Sequence, residues 1–307
     1  MKTGVLLVTL GGPRERGEIP AFVRNMTGRE LPPPPLKAIT AHYDEIGGRS
    51  PLCDITEAQS ASLQETLGEG FVCRAAFRHA KPSIEDGIDE IVETGALRLV
   101  FLSMSPFWSS FTTGDQIDTA RAHLFSLQPE ACSLKPVVFP VHSWCDNPFF
   151  LAAWAQAIQE DSGGIARDEV VLFSVHSLPE RLSEEPYREQ IERTAGAVAA
   201  RLSLREWSLG WQSIPASARE PWIGPSVEEV MEHLAKEGAR KVVQVPLGFT
   251  ADHIETLYDI DIAHRSHAKE IGIEWRRVPS LNVYPPFIRA LAQIVDEALA
   301  RPEAPGG

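Results

Sequence analysis

The chain has 307 residues, 43% of them hydrophobic and 23% charged, with a formal net charge of -13. That length exceeds one ordinary core and suits two lobes of a globular, not a disordered, protein. The acidic balance excludes a nucleic-acid footprint and attraction to an anionic membrane surface, and no run of 18 apolar residues offers a transmembrane segment.

Met1 to Val5 lead into an apolar run that stops at Gly11-Gly12-Pro13. The run is too short for a secretory leader and reads as a first strand, 4–10, so a cytoplasmic location is expected. The Pro-rich stretch 32–35 reads as a loop or rim segment. Further β-rich runs follow at 71–77, 98–104 and 136–141. Pro148-Phe149-Phe150-Leu151 opens a linking helix. The second half adds runs at 169–175, 205–211, 240–246 and 273–278, and the Pro/Gly-rich tail after Leu299 reads as frayed. Most runs are dense in Val, Leu, Ile and Phe without clean alternation, the pattern of parallel strands buried on both faces. Helical patterns between them make the fold class α/β, doubly wound and Rossmann-like.

The halves repeat. Pro82-Ser83-Ile84-Glu85-Asp86, then Ile88, Ile91 and Gly95-Ala96, match Pro225-Ser226-Val227-Glu228-Glu229, Met231, Leu234 and Gly238-Ala239. Each copy has a Ser N-cap, an acid three residues on, an apolar stripe and a Gly stop. Val5–Pro13 likewise aligns on Val171–Pro179, which sets Leu10 opposite His176. Two similar lobes are expected, 1–145 and 146–307, with a ligand cleft between them and a C-terminal helix free to pack back on the first lobe. Cys53, Cys73, Cys132 and Cys145 lack C-x-x-C spacing and read as buried thiols.

Ligands of doubly wound sheets bind beyond the carboxyl ends of the strands. His176 stands at one such end. After the 240–246 run come Asp252, Glu255 and Asp259, which share one face of an α-helix. A strand-end histidine can be a satisfied structural residue, and three carboxylates can be a solvated face. Converging on a cleft, a neutral imidazole and a carboxylate suit proton removal and a first-row metal.

Several segments resemble ferrochelatases: Leu7-Val8-Thr9-Leu10-Gly11-Gly12-Pro13, Tyr43-x-x-Ile46-Gly47-Gly48-x-Ser50-Pro51-Leu52, Ser174-Val175-His176-Ser177-Leu178-Pro179, Gly210-Trp211-Gln212-Ser213, Trp222-Ile223-Gly224-Pro225 and Phe249–Tyr258. They occur in family order along nearly the whole chain. The resemblance implies an enzyme, a metal-inserting lyase of haem biosynthesis that places ferrous iron in protoporphyrin IX or coproporphyrin III. By it His176 takes the pyrrole protons and meets the metal, Glu255 is its partner carboxylate, and Asp259 belongs to an acidic ladder for metal. Where that ladder continues in some relatives, this chain has Ala263. Ser50, Arg78 and His79 match positions near the propionates, Thr112 and Thr113 the opposing wall, and Leu10 the metal's other face. Trp211 and Trp222 read as packing. Relatives acting on coproporphyrin III often carry tyrosine at the position of Leu10, yet Gly-Trp-Gln-Ser is closer to that type. With no cysteine after Cys145, a terminal iron–sulfur cluster is not expected; Fe2+ enters as substrate. The expected partners are the porphyrin and ferrous iron, with other haem-pathway enzymes as candidates and the chain itself a monomer. The rival readings are a sirohydrochlorin cobalt chelatase and a non-catalytic tetrapyrrole carrier.

Overall fold

The structure, a computed structural model, describes residues 2–127, 136–182, 185–215 and 218–301. Two parallel sheets organise it. One contains β1 (Thr3–Thr9), β2 (Phe71–Phe77), β3 (Arg98–Ser103) and β4 (Val137–Val141), in the order β2-β1-β3-β4. The other contains β5 (Glu169–His176), β6 (Trp207–Gln212), β7 (Lys241–Val245) and β8 (Glu274–Arg277), in the equivalent order β6-β5-β7-β8. Each expected β-rich run is a strand, and β1 and β5 hold the same place in their sheets.

The helices are α1 (Ile19–Thr27), α2 (Pro33–Glu45), α3 (Leu52–Leu67), α4 (Ile84–Glu93), α5 (Asp115–Ser126), α6 (Pro148–Glu160), α7 (Tyr187–Arg201), α8 (Val227–Lys236), α9 (Arg265–Glu270) and α10 (Pro285–Ala300). The repeated helices α4 and α8 both start in reciprocal capping boxes. The Ser83 and Ser226 hydroxyls accept from the amides of Asp86 and Glu229 at 3.2 Å. Those acids accept from the two serine amides at 2.7 and 2.8 Å. The Pro-rich stretch is not a loop: Pro33 opens α2 with Pro32 as its N-cap. Proline is tolerated in a first turn because the amide it lacks has no helical partner there.

Burial explains the missing alternation. Val5 and Leu7 face a large core that also holds Val171, Phe173 and Val175 of the other sheet, together with α6, α7 and α10. Leu6 and Val8 face a second core beneath α4 and α5, and Leu172 a third beneath α8 and α9. Alternate residues thus point to different cores, and both sets must be apolar. The central core is common to both halves. α10 packs against α6 and also against α3, β3 and β4. The Thr250 hydroxyl donates to the Met104 carbonyl at 3.0 Å, and the Trp108 amide to Gln190 Oε1 at 2.7 Å, so polar bonds also join the halves.

Cys53, Cys73 and Cys145 are buried free thiols; Cys132 and most of the tail lie outside the described residues. No helix among the described residues is long and apolar enough to cross a membrane.

Candidate active site

His176 is the last residue of β5, in register with Gln212 at the end of β6. The Tyr187 hydroxyl donates to its carbonyl at 3.0 Å, fixing the backbone. Its Nδ1–H donates to the Ser177 carbonyl. A carbonyl can only accept, so Nδ1 keeps its hydrogen and Nε2 is the nitrogen left to exchange a proton. That nitrogen lies 3.6 Å from Glu255 Oε1, and the imidazole is 32% exposed, open to a ligand.

Glu255 begins a π-helix, Glu255–His264, that runs into α9. Its other oxygen, Oε2, lies 3.5 Å from His253 Nε2, and the Gln212 amide donates to its backbone carbonyl at 2.9 Å. Burial alone would raise this carboxyl. The His176 and His253 imidazoles outweigh burial and hold it down at about 2. Asp259 behaves in the opposite way. Burial and then the Glu255 charge push it up to about 6, although Ser213 donates a 2.6 Å hydrogen bond to it. Two carboxyls four residues apart are therefore set to opposite tasks, one held ionised and one poised to exchange protons near neutrality.

The expected three-carboxylate face is divided. Asp252 precedes the helix and turns away, its carboxylate accepting from Arg277, Ser280 and Asn282. A π-helix has about 4.4 residues per turn, so Glu255 and Asp259 share a side without it. Among the described residues, no three His, Cys, Asp or Glu gather closely enough to hold a metal alone.

Of the other candidates, Leu10, Arg78 and His79 fall at neighbouring strand ends. Leu10 follows β1 as His176 ends β5 and is 37% exposed, and its carbonyl accepts from the His79 amide at 3.0 Å. Arg78 also extends past β2, its amide donating to the Thr9 carbonyl, while its guanidinium forks onto Asp115 at 2.6 and 3.2 Å. Burial and the adjacent Arg78 charge lower the His79 imidazole. Ser50 is buried against Gly12, where a Cβ would come within 2.8 Å of its hydroxyl. That hydroxyl accepts from the Leu52 amide at 3.3 Å, at the start of α3. Thr112 and Thr113 lie in a π-turn, Ser110–Gly114; Thr113 is bonded to Ser103 at 3.3 Å, and the buried Thr112 hydroxyl has no hydrogen-bond partner among the described residues. Trp211 is core, packed on Tyr187, whereas the Trp222 ring sits 6.3 Å from the His176 ring.

Several neighbours carried no separable signal in the sequence. Tyr43 of α2 is buried close enough to Glu255 that burial and then that charge raise its phenol. His42 stacks on Tyr258 with centroids 3.8 Å apart, laying α2 over the π-helix. His253, Gln212 and Ser213 sat inside recognised motifs but only their contacts separate them from Ile254 or Trp211.

A model of the family described as ferrochelatase matches residues 2–299. The chain is 37% identical to a ferrochelatase of Geotalea uraniireducens, covering 97% of this chain and 98% of that one. It is 33% identical to a coproporphyrin III ferrochelatase of Halalkalibacterium halodurans, covering 98% and 99%. Among solved structures it resembles SirB from Bacillus subtilis with Fe3+, with a TM-score of 0.59 and 15% identity over 98% of this chain and 96% of that one. At that identity the likeness concerns the chelatase fold alone.

Proposed function

Since this chain belongs to the ferrochelatase family, enzymes that insert iron into a porphyrin in haem biosynthesis, we propose that His176 and Glu255 carry the proton chemistry of that insertion. The observation that supports this reading most is the approach of His176 Nε2 to Glu255 at 3.6 Å at the carboxyl end of a central strand.

A free porphyrin carries two N–H protons that must leave as the metal enters. With Nδ1 committed to the Ser177 carbonyl, His176 takes the two pyrrole protons in turn on Nε2, the first passed on before the second leaves. The imidazolium so formed faces an ionised Glu255, which stabilises it. His253 and Asp259 lie next to the same carboxylate and offer the proton a way out, since Asp259 exchanges near pH 6. Ferrous iron is the second substrate, released from its water as the nitrogens replace it, and His176 and Glu255 are the protein groups it meets. Arg78 and His79 flank the porphyrin's carboxylate ends and Leu10 and Thr112 the macrocycle, while Ser50 and Thr113, both buried, back the walls behind them. On this reading the reaction runs in the cytoplasm and the protein acts as a monomer.

The test is iron insertion by purified protein, with protoporphyrin IX and coproporphyrin III compared side by side, for the wild type and His176→Ala. Loss of insertion with porphyrin binding retained is expected. Near-normal turnover without the imidazole would refute the mechanism.

A further inference from the structure

Arg277, at the end of β8, is a cation with an 11% exposed side chain, and it grips the chain on both sides of Glu255. Nη1 donates to Asp252 Oδ1 at 3.0 Å. Nε and Nη2 fork onto Asp261 at 2.7 and 2.8 Å. Asp252 lies three residues before Glu255 and Asp261 six after it, so one rigid planar group spans the loop and the first turns of the π-helix. Bonding of the i→i+5 kind is the rarest helical form and needs outside support to persist.

The Asp252 end is fixed further. Its carboxylate also accepts from the Ser280 hydroxyl and the Asn282 amide, both at 2.8 Å. Its amide donates to Asn282 Oδ1 at 2.9 Å. Asn282 sits in the left-handed region, φ +44, which asparagine tolerates better than most residues, and this turns its backbone to two more partners. Its amide donates to the Thr250 carbonyl at 2.9 Å, and its carbonyl accepts from Gln59 of α3 at 2.8 Å. The clamp thereby ties the segment carrying His253 and Glu255 to the first half of the chain.

We propose that Arg277, seconded by Asn282, is a positioning residue that sets Glu255 against His176. This rests on the proposed role of Glu255 in proton transfer. Arg277 touches neither Glu255 nor His176 and acts through Asp252 and Asp261.

Full-length Arg277→Met, Arg277→Lys, Asn282→Ala and Glu255→Gln are assayed for iron insertion below their melting temperatures, with porphyrin Kd from fluorescence quenching. In Arg277→Met, kcat is expected to fall by about tenfold to a hundredfold, the scale of a small misplacement of a catalytic group, with porphyrin Kd nearly unchanged. Lysine, which keeps the charge and loses the fork, should restore part of that loss. Unchanged kcat in folded Arg277→Met, or loss of porphyrin affinity in step with kcat, overturns the proposal. If Arg277→Met does not fold, Asn282→Ala decides, because it removes the amide partners of Asp252 and leaves the ion pairs; unchanged kcat there overturns the clamp. An inactive Glu255→Gln beside a normal Arg277→Met overturns the clamp alone. An active Glu255→Gln overturns the reading of Glu255 on which it rests.

Discussion

Replacing Glu255 by glutamine keeps the shape of the side chain and removes its charge, and the structure gives the consequence a size and a pH signature. The carboxyl is held at about 2 against an ordinary 4.5. At about 1.36 kcal/mol per pH unit, that fall corresponds to about 3 kcal/mol of folded-state stabilisation, shared between His176 and His253. A depressed carboxylate contributes fully above pH 4.5 and loses its contribution as pH falls towards 2. The His253 imidazole is raised: burial lowers it, but its contacts with Glu255 raise it more. A raised histidine contributes below its unfolded value of 6.5 and loses that as pH climbs through its higher folded value. Both conditions are met between about pH 5 and 6. Urea unfolding of Glu255→Gln should therefore show its greatest cost there, of order 2–3 kcal/mol, and a smaller one near pH 9. Iron insertion should fall about 10²- to 10⁴-fold, since a neutral amide no longer stabilises the His176 imidazolium formed as the pyrrole proton is taken. A cost that does not change between pH 5.5 and 9 would refute the electrostatic account, and retained turnover would reduce Glu255 to a structural part.

Asp259→Asn should stabilise the fold at pH 8 and have little effect at pH 4. A carboxyl pushed up to about 6 costs stability once ionised, fully so above that pH, and thermal melts across the range check it. Arg78→Ala should weaken porphyrin binding by about 1.5–3 kcal/mol, as removal of a charged hydrogen-bond donor does, and it leaves Asp115 unpaired; unchanged affinity with a slower rate would sink this role. Leu10→Tyr should supply a phenol oxygen beside the iron and slow haem release, whereas Leu10→Ala should alter porphyrin fit and keep some insertion. Stopped-flow spectra of product release distinguish the two.

The architecture was legible because its causes are local and periodic. Strands buried on both faces write themselves as unbroken apolar runs, and Ser83–Asp86 and Ser226–Glu229 record the same helix start twice. His176 could be singled out because β5 ends in it and strand ends carry ligands. Contacts between distant residues write no period, so other features waited for the fold. The sequence placed Asp252, Glu255 and Asp259 on one α-helical face, but tertiary bonds from Arg277, Ser280 and Asn282 hold Asp252 outside, and the helix that follows is π. Prolines 32–35 read as a loop because proline breaks helices; only packing over the π-helix shows them at a helix start. The opposite settings of Glu255 and Asp259 depend on which imidazole or hydroxyl lies within about 4 Å in a buried site. Composition and motif name the groups that titrate here, but distance and burial decide which of them holds its charge.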